Sequence, residues 1–161
     1  MRRTFRKKQK NLNVIVNSEI SAEHSANSID KSKWEKLAVG TLQAEGIHTG
    51  ELNLIFVDSE SMKELNENHL GKSEPTDVLA FPLDSVDTTP SETPILLGDV
   101  IICPEKAEEN AQLQNKTFEE EIALLVLHGI LHILGYDHAH TDEKVVMKKR
   151  EEQLMSELYR S

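Results

Sequence analysis

The chain has 161 residues, one cysteine, few aromatics and a net charge of −10. Its length suits one domain with a sizeable core, and a lone Cys103 excludes both a disulfide scaffold and a cysteine-built zinc site, so a reducing, cytoplasmic setting is expected. No run reaches the ~18 consecutive apolar residues of a membrane helix and no secretory signal is visible, so no membrane is expected among the partners.

The first ten residues hold Arg2, Arg3, Arg6, Lys7, Lys8 and Lys10 and no acid. They read as a basic, disordered tail (residues 1–10) ahead of a single domain (residues 11–161). That remainder carries 12 basic against 28 acidic residues, a balance of −16. Such a body repels nucleic acid in general, and no DNA partner is expected. An RNA role has to rest on a local patch, on the tail, or on a partner that presents the RNA.

Leu12 to Val16 is short and β-branched, which predicts a first strand. Asn17 to Asp30 is polar and Ser-rich, a loop. Ser32 and Glu35 form a capping box that opens a helix to about Ala44, with Trp34, Leu37, Ala38 and Leu42 inward. His48 and Gly50 belong to a turn. Glu51 to Val57 alternates and then becomes continuously apolar, which predicts a strand packed on both faces near its end. Asp58 or Ser59 caps a second helix with Met62, Leu65 and His69 or Leu70 on one stripe.

Gly71 to Pro75 breaks that helix. Thr76 to Phe81 predicts a third strand, stopped by Pro82, and Pro82 to Pro94 has the composition of a mobile loop. Ile95 to Cys103 predicts a fourth strand, in which Gly98 marks a bulge or a close backbone contact. Pro104 suits the first position of a helix running to about Gln114.

The most informative stretch is Glu121 to His140, EIALLVLHGILHILGYDHAH. Thr117 and Glu120 cap a buried helix over Phe118 to Leu134. His128 and His132, four apart, share one helical face with Cβ atoms roughly 6 Å apart. Gly135 suits a left-handed helix end, and the turn lets His138 swing back toward the pair. Three neutral imidazoles suit Zn²⁺ and leave a fourth position open, as catalytic sites do. The spacing matches the long zinc-protease motif except that its glutamate base is replaced by Gly129. A mid-helix glycine costs about 1 kcal/mol, so Gly129 is expected to admit close approach of another backbone or of a substrate. Thr141 caps a last, charged helix with Val145, Val146, Leu154 and Leu158 inward. The fold class is α+β: one small mixed four-stranded sheet packed with about five helices.

From about Glu51 onward the chain resembles the YbeY family. The shared pieces are Pro75-Thr76-Asp77-Val78-Leu79 with Phe81-Pro82, Gly98-Asp99-Val100, HGILHILGYDH from His128 to His138, and Met147 with Glu151. The resemblance implies a metal-dependent endoribonuclease with one Zn²⁺ per chain on His128, His132 and His138. It also implies hydrolysis of single-stranded RNA in 16S ribosomal RNA 3′-end maturation and ribosome quality control, with ribosomal RNA and the ribosome or ribosomal proteins as partners. Three positions depart from the family. The arginine usual before the Pro75-Thr76 segment is Leu70, leaving Lys72 as a substrate-binding point charge without a bidentate fork. The serines usual before Phe81-Pro82 and after the fourth strand are Ala80 and Cys103.

Asp137, beside a ligand, either orients an imidazole or acts as the base, and it equally suits the turn after Gly135. His140 is expected to be a solvent-exposed neighbour, and Asp77 and Asp99 to terminate or tether strands. Two other functions compete. One is a ribosome-assembly factor with a structural zinc and little nuclease activity, which Leu70 favours. The other is an atypical zinc peptidase, which Gly129 opposes.

Overall fold

The computed structural model describes residues 11–20, 29–70, 76–83, 95–136 and 140–160. The basic tail, much of the Ser-rich loop, Lys72, most of the segment from Pro82 to Pro94, Asp137 and His138 lie outside the described residues. Among the described residues the strands are β1 (Leu12–Ser18), β2 (Gly50–Phe56), β3 (Val78–Pro82) and β4 (Leu96–Ile102). The helices are α1 (Lys31–Ala44), α2 (Ser59–Leu70), α3 (Pro104–Leu113), α4 (Phe118–Ile133) and α5 (Thr141–Leu154). The α+β expectation holds: the sheet order is β1-β2-β4-β3, with β1, β2 and β4 parallel and β3 antiparallel to β4.

Each face of the sheet is packed. On one side Leu52, Leu54, Phe56, Val100 and Ile102 meet Trp34, Leu37 and Leu42 of α1 and Ile122, Leu127, Ile130 and Leu131 of α4. On the other, Val57, Leu79 and Ile101 close over Met62 of α2, with Ile55 and Phe81 at the margin. The two-sided end of β2 is therefore as its sequence predicts. Asn53 on β2 donates to Asp99 Oδ1 on β4 at 2.9 Å. Asp77 accepts from Asn110 of α3 at 3.0 Å through Oδ2, and its carbonyl accepts from the Cys103 amide. Both carboxylates tether strands.

Three local readings are corrected. Helix α1 is capped by Asp30, whose Oδ1 accepts from the Lys33 amide at 3.2 Å, and Ser32 lies inside the helix. A carboxylate is the better partner for the positive helix start. In α5 the cap is His140, with Thr141 the first helical residue. Val145 and Val146 of that helix are 61% and 58% exposed, and the buried stripe is Met147, Glu151 and Leu154. Spacings of four and three put those residues on one face, but a glutamate in the middle disguises the stripe. Beyond Leu154 the chain loosens into a π turn over Met155–Tyr159, which keeps Met155 inside.

Helix α4 is the central helix of the core, and its seat on the sheet depends on Gly129. A Cβ there would stand 2.5 Å from Val100 Cγ1 of β4. The close neighbour is thus a side chain of the sheet rather than the backbone or substrate expected. Ala would add about 1 kcal/mol of helix propensity, against an overpacking cost of about 1–3 kcal/mol. Gly129→Ala is expected to lower stability by about 1 kcal/mol, seen as a lower urea midpoint with an unchanged slope.

Candidate metal centre

The site is built on the last two turns of α4. Its start is fixed by Thr117, whose Oγ1 accepts from the Glu120 amide at 3.0 Å. The Glu120 carboxylate turns instead to Arg160, 3.0 Å away. At the other end Gly135, with φ +106°, turns the chain. Its amide bonds the His132 carbonyl at 3.1 Å, and the Tyr136 amide bonds the Leu131 carbonyl at 3.0 Å. These two bonds make a Schellman motif, which satisfies carbonyls left open at the helix end.

His128 and His132 sit one turn apart on this helix, both half-buried. Each has its Nδ1 held from behind. His128 Nδ1 lies 2.5 Å from Glu151 Oε2 of α5, and His132 Nδ1 lies 3.1 Å from the Tyr136 carbonyl. With an acceptor on each Nδ1, the ring proton belongs on that nitrogen, and Nε2 then carries the lone pair that a metal could take. The Glu151 carboxylate and the negative end of α4 both favour a cation here. Two neutral imidazoles, each oriented by an outer acceptor, are the donor chemistry that Zn²⁺ takes. His138, the third expected ligand, lies outside the described residues, as does Asp137. Among the described residues no three His, Cys, Asp or Glu side chains gather as a metal cage.

His140 is exposed at the start of α5, as expected. Cys103 is fully buried, and burial pushes its thiol up, away from the reactive thiolate. Leu70 closes α2; Lys72 lies beyond the described residues. Sequence reasoning assigned no role to Glu151. The signal was present: a carboxylate four residues after Met147 and three before Leu154, on the only buried stripe of α5. A buried charge in that position needs a partner, and the partner is a histidine.

The family model described as Endoribonuclease YbeY matches residues 19–159. A relative from Beutenbergia cavernae, named Endoribonuclease YbeY, is 42% identical over 134 residues, covering 80% of this chain and 88% of its own. Another of that name, from Halalkalibacterium halodurans, is 41% identical over 133 residues, 79% of each chain. The solution structure of TM1509 from Thermotoga maritima is similar with a TM-score of 0.56 at 31% identity, covering 89% of this chain and 90% of that one.

Proposed function

This chain belongs to the endoribonuclease YbeY family and is thereby a hydrolytic enzyme, a nuclease; from that premise we propose that it is a zinc-dependent endoribonuclease that cuts single-stranded RNA. Its place is 16S ribosomal RNA 3′-end maturation and ribosome quality control in the cytoplasm, with ribosomal RNA and the ribosome as partners. The observation that carries the zinc reading is the backing of both helical imidazoles, by Glu151 and by the Tyr136 carbonyl.

Nε2 of His128 and of His132, with His138 as third ligand, would hold the ion. Zinc, when bound, supplies a water that loses its proton near neutral pH and a Lewis acid for a phosphoryl oxygen. Glu151 keeps the His128 ring in one tautomer and one plane, and the Tyr136 carbonyl does the same for His132. Gly129 cannot carry a proton and is committed to packing on Val100, which removes the peptidase base. Asp137, adjacent to His138, is left to orient an imidazole or accept a proton. Lys72 supplies a point charge for phosphate where the family has arginine.

Purified protein is expected to carry about one zinc per chain and to cleave a single-stranded ribosomal RNA fragment. Cleavage should stop with a chelator and return when zinc is restored. A zinc-loaded chain that leaves RNA intact would make it the assembly factor that Leu70 favours. Cleavage indifferent to chelation would sink the zinc reading.

A further inference from the structure

Behind His132 the hydrogen bonds continue past the turn. The Tyr136 hydroxyl donates to Glu45 Oε1 at 2.8 Å. Glu45 Oε2 accepts from Arg150 Nε at 2.6 Å, and Arg150 Nη2 also reaches the Ala44 carbonyl at 3.3 Å. Both oxygens of Glu45 are thus engaged, one from each side. The carboxylate side chain is 10% exposed and the guanidinium 25%, so the pair is shielded from much of the solvent that weakens surface ion pairs. Burial first, then the Glu45 bond, push the Tyr136 phenol up. The same carboxylate raises Arg150.

The geometry shows what this chain of bonds can do. The Schellman bonds end at the Tyr136 amide. The Tyr136 carbonyl lies two torsions further on, the φ and ψ of that residue, and its direction sets where the His132 ring proton points. The next anchor along the chain is the Tyr136 ring. Tethering its hydroxyl to the end of α1 restrains the residue whose carbonyl must stay aimed at His132 Nδ1. Arg150 precedes Glu151, which holds His128. Consecutive residues of α5 therefore back both imidazoles, one directly and one through Glu45 and Tyr136.

We propose that Glu45, held by Arg150 and holding the Tyr136 hydroxyl, is a positioning residue for the His132 imidazole. The proposal rests on the reading of His132 as a metal ligand. A tie that merely joined α1 to the rest of the fold would change melting temperature alone; a positioning tie also changes the ring.

The test uses the full chain in two measurements. In metal-free protein, the His132 Nδ1 proton is expected to give a protected ring resonance by ¹⁵N-resolved NMR. That resonance should be lost to exchange in Tyr136→Phe, which keeps the ring, and in Glu45→Ala. Glu45→Gln, whose one amide oxygen can still accept from the phenol while its NH2 faces Arg150, should restore it in part. Zinc affinity, read by competition with a chromophoric chelator, should fall about tenfold in Tyr136→Phe and in Glu45→Ala. The double variant should fall no further, because both changes break one chain of bonds. Arg160→Ala, which breaks the pair with Glu120 at the far end of α4, should leave both readouts unchanged. Wild-type ring protection and zinc affinity in both Tyr136→Phe and Glu45→Ala would overturn the proposal. A wild-type chain that binds no zinc would instead remove the metal reading, and the ring proton would still decide whether Glu45 positions His132.

Discussion

Replacing His132 by alanine should abolish zinc retention and RNA cleavage together, whereas Glu151→Ala should keep the site and weaken it. The two changes differ in kind. As proposed, His132 would donate directly to the ion, and without it only one described imidazole remains on α4. Glu151 would touch no ion; it accepts from His128 Nδ1 at 2.5 Å and so fixes the ring's tautomer and plane. Losing such an outer partner costs roughly 10–100-fold in metal affinity. Glu151→Gln keeps an acceptor oxygen but no charge, and should fall between alanine and the native residue. The Glu151 side chain is only 11% exposed, so its loss also opens space on the buried face of α5 and should lower the melting temperature modestly. A zinc titration of cleavage separates the cases: Glu151→Ala recovers at high zinc and His132→Ala does not. If Glu151→Ala bound zinc as tightly as the native chain, the carboxylate would have no part in the site.

Gly98→Ala is expected to be the most damaging single methyl in the sheet. Gly98 sits at a bulge in β4, where Glu51 pairs with Leu96 and Leu52 with Gly98, so that Leu97 is the extra residue. Its φ is +154°, and an added Cβ would lie 2.6 Å from the Phe81 carbonyl oxygen and 2.6 Å from Ile133 Cδ1. The first of these is backbone of β3 and cannot rotate away, unlike the Val100 side chain that Gly129→Ala would meet. Overpacking and the unfavourable φ together should cost about 3 kcal/mol, roughly 10 °C in melting temperature for a chain this size. Ile133 adjoins His132 on α4, so relief of the clash displaces the end of the helix that carries the site. Zinc affinity should fall along with melting temperature. A Gly98→Ala protein that melts within a degree or two of the native chain would show that β3 can yield.

Much of this was legible in the chain itself. Helix α4 announces itself through a capping threonine, a long apolar run and a glycine stop, and the sheet strands through short β-branched runs. These are local signals, and local chemistry decides them. The histidine spacing belongs with them, because two residues four apart on a helix share a face whatever the rest of the fold does. Gly98 also showed its purpose, since a glycine inside a strand has few other reasons to be there.

Two of the errors share one cause, a neighbour distant in the chain. For α5, apolarity pointed to Val145 and Val146, but Met147 and Leu154 enter the core and carry Glu151 inward between them, where a histidine on another helix takes the carboxylate. For Gly129, sequence offered a backbone or a substrate, and the neighbour is Val100, distant in the chain. The capping box at Ser32 gave way to Asp30 two residues earlier, a choice between two adequate local partners. The amino-acid order by itself determined the elements, their order, and the two imidazoles of α4 on one helical face. Only tertiary packing decided that Glu151 stands behind His128 and that Glu45 and Arg150 hold the Tyr136 ring, because these residues come from α5 and the end of α1, whose placement is set by the core they bury.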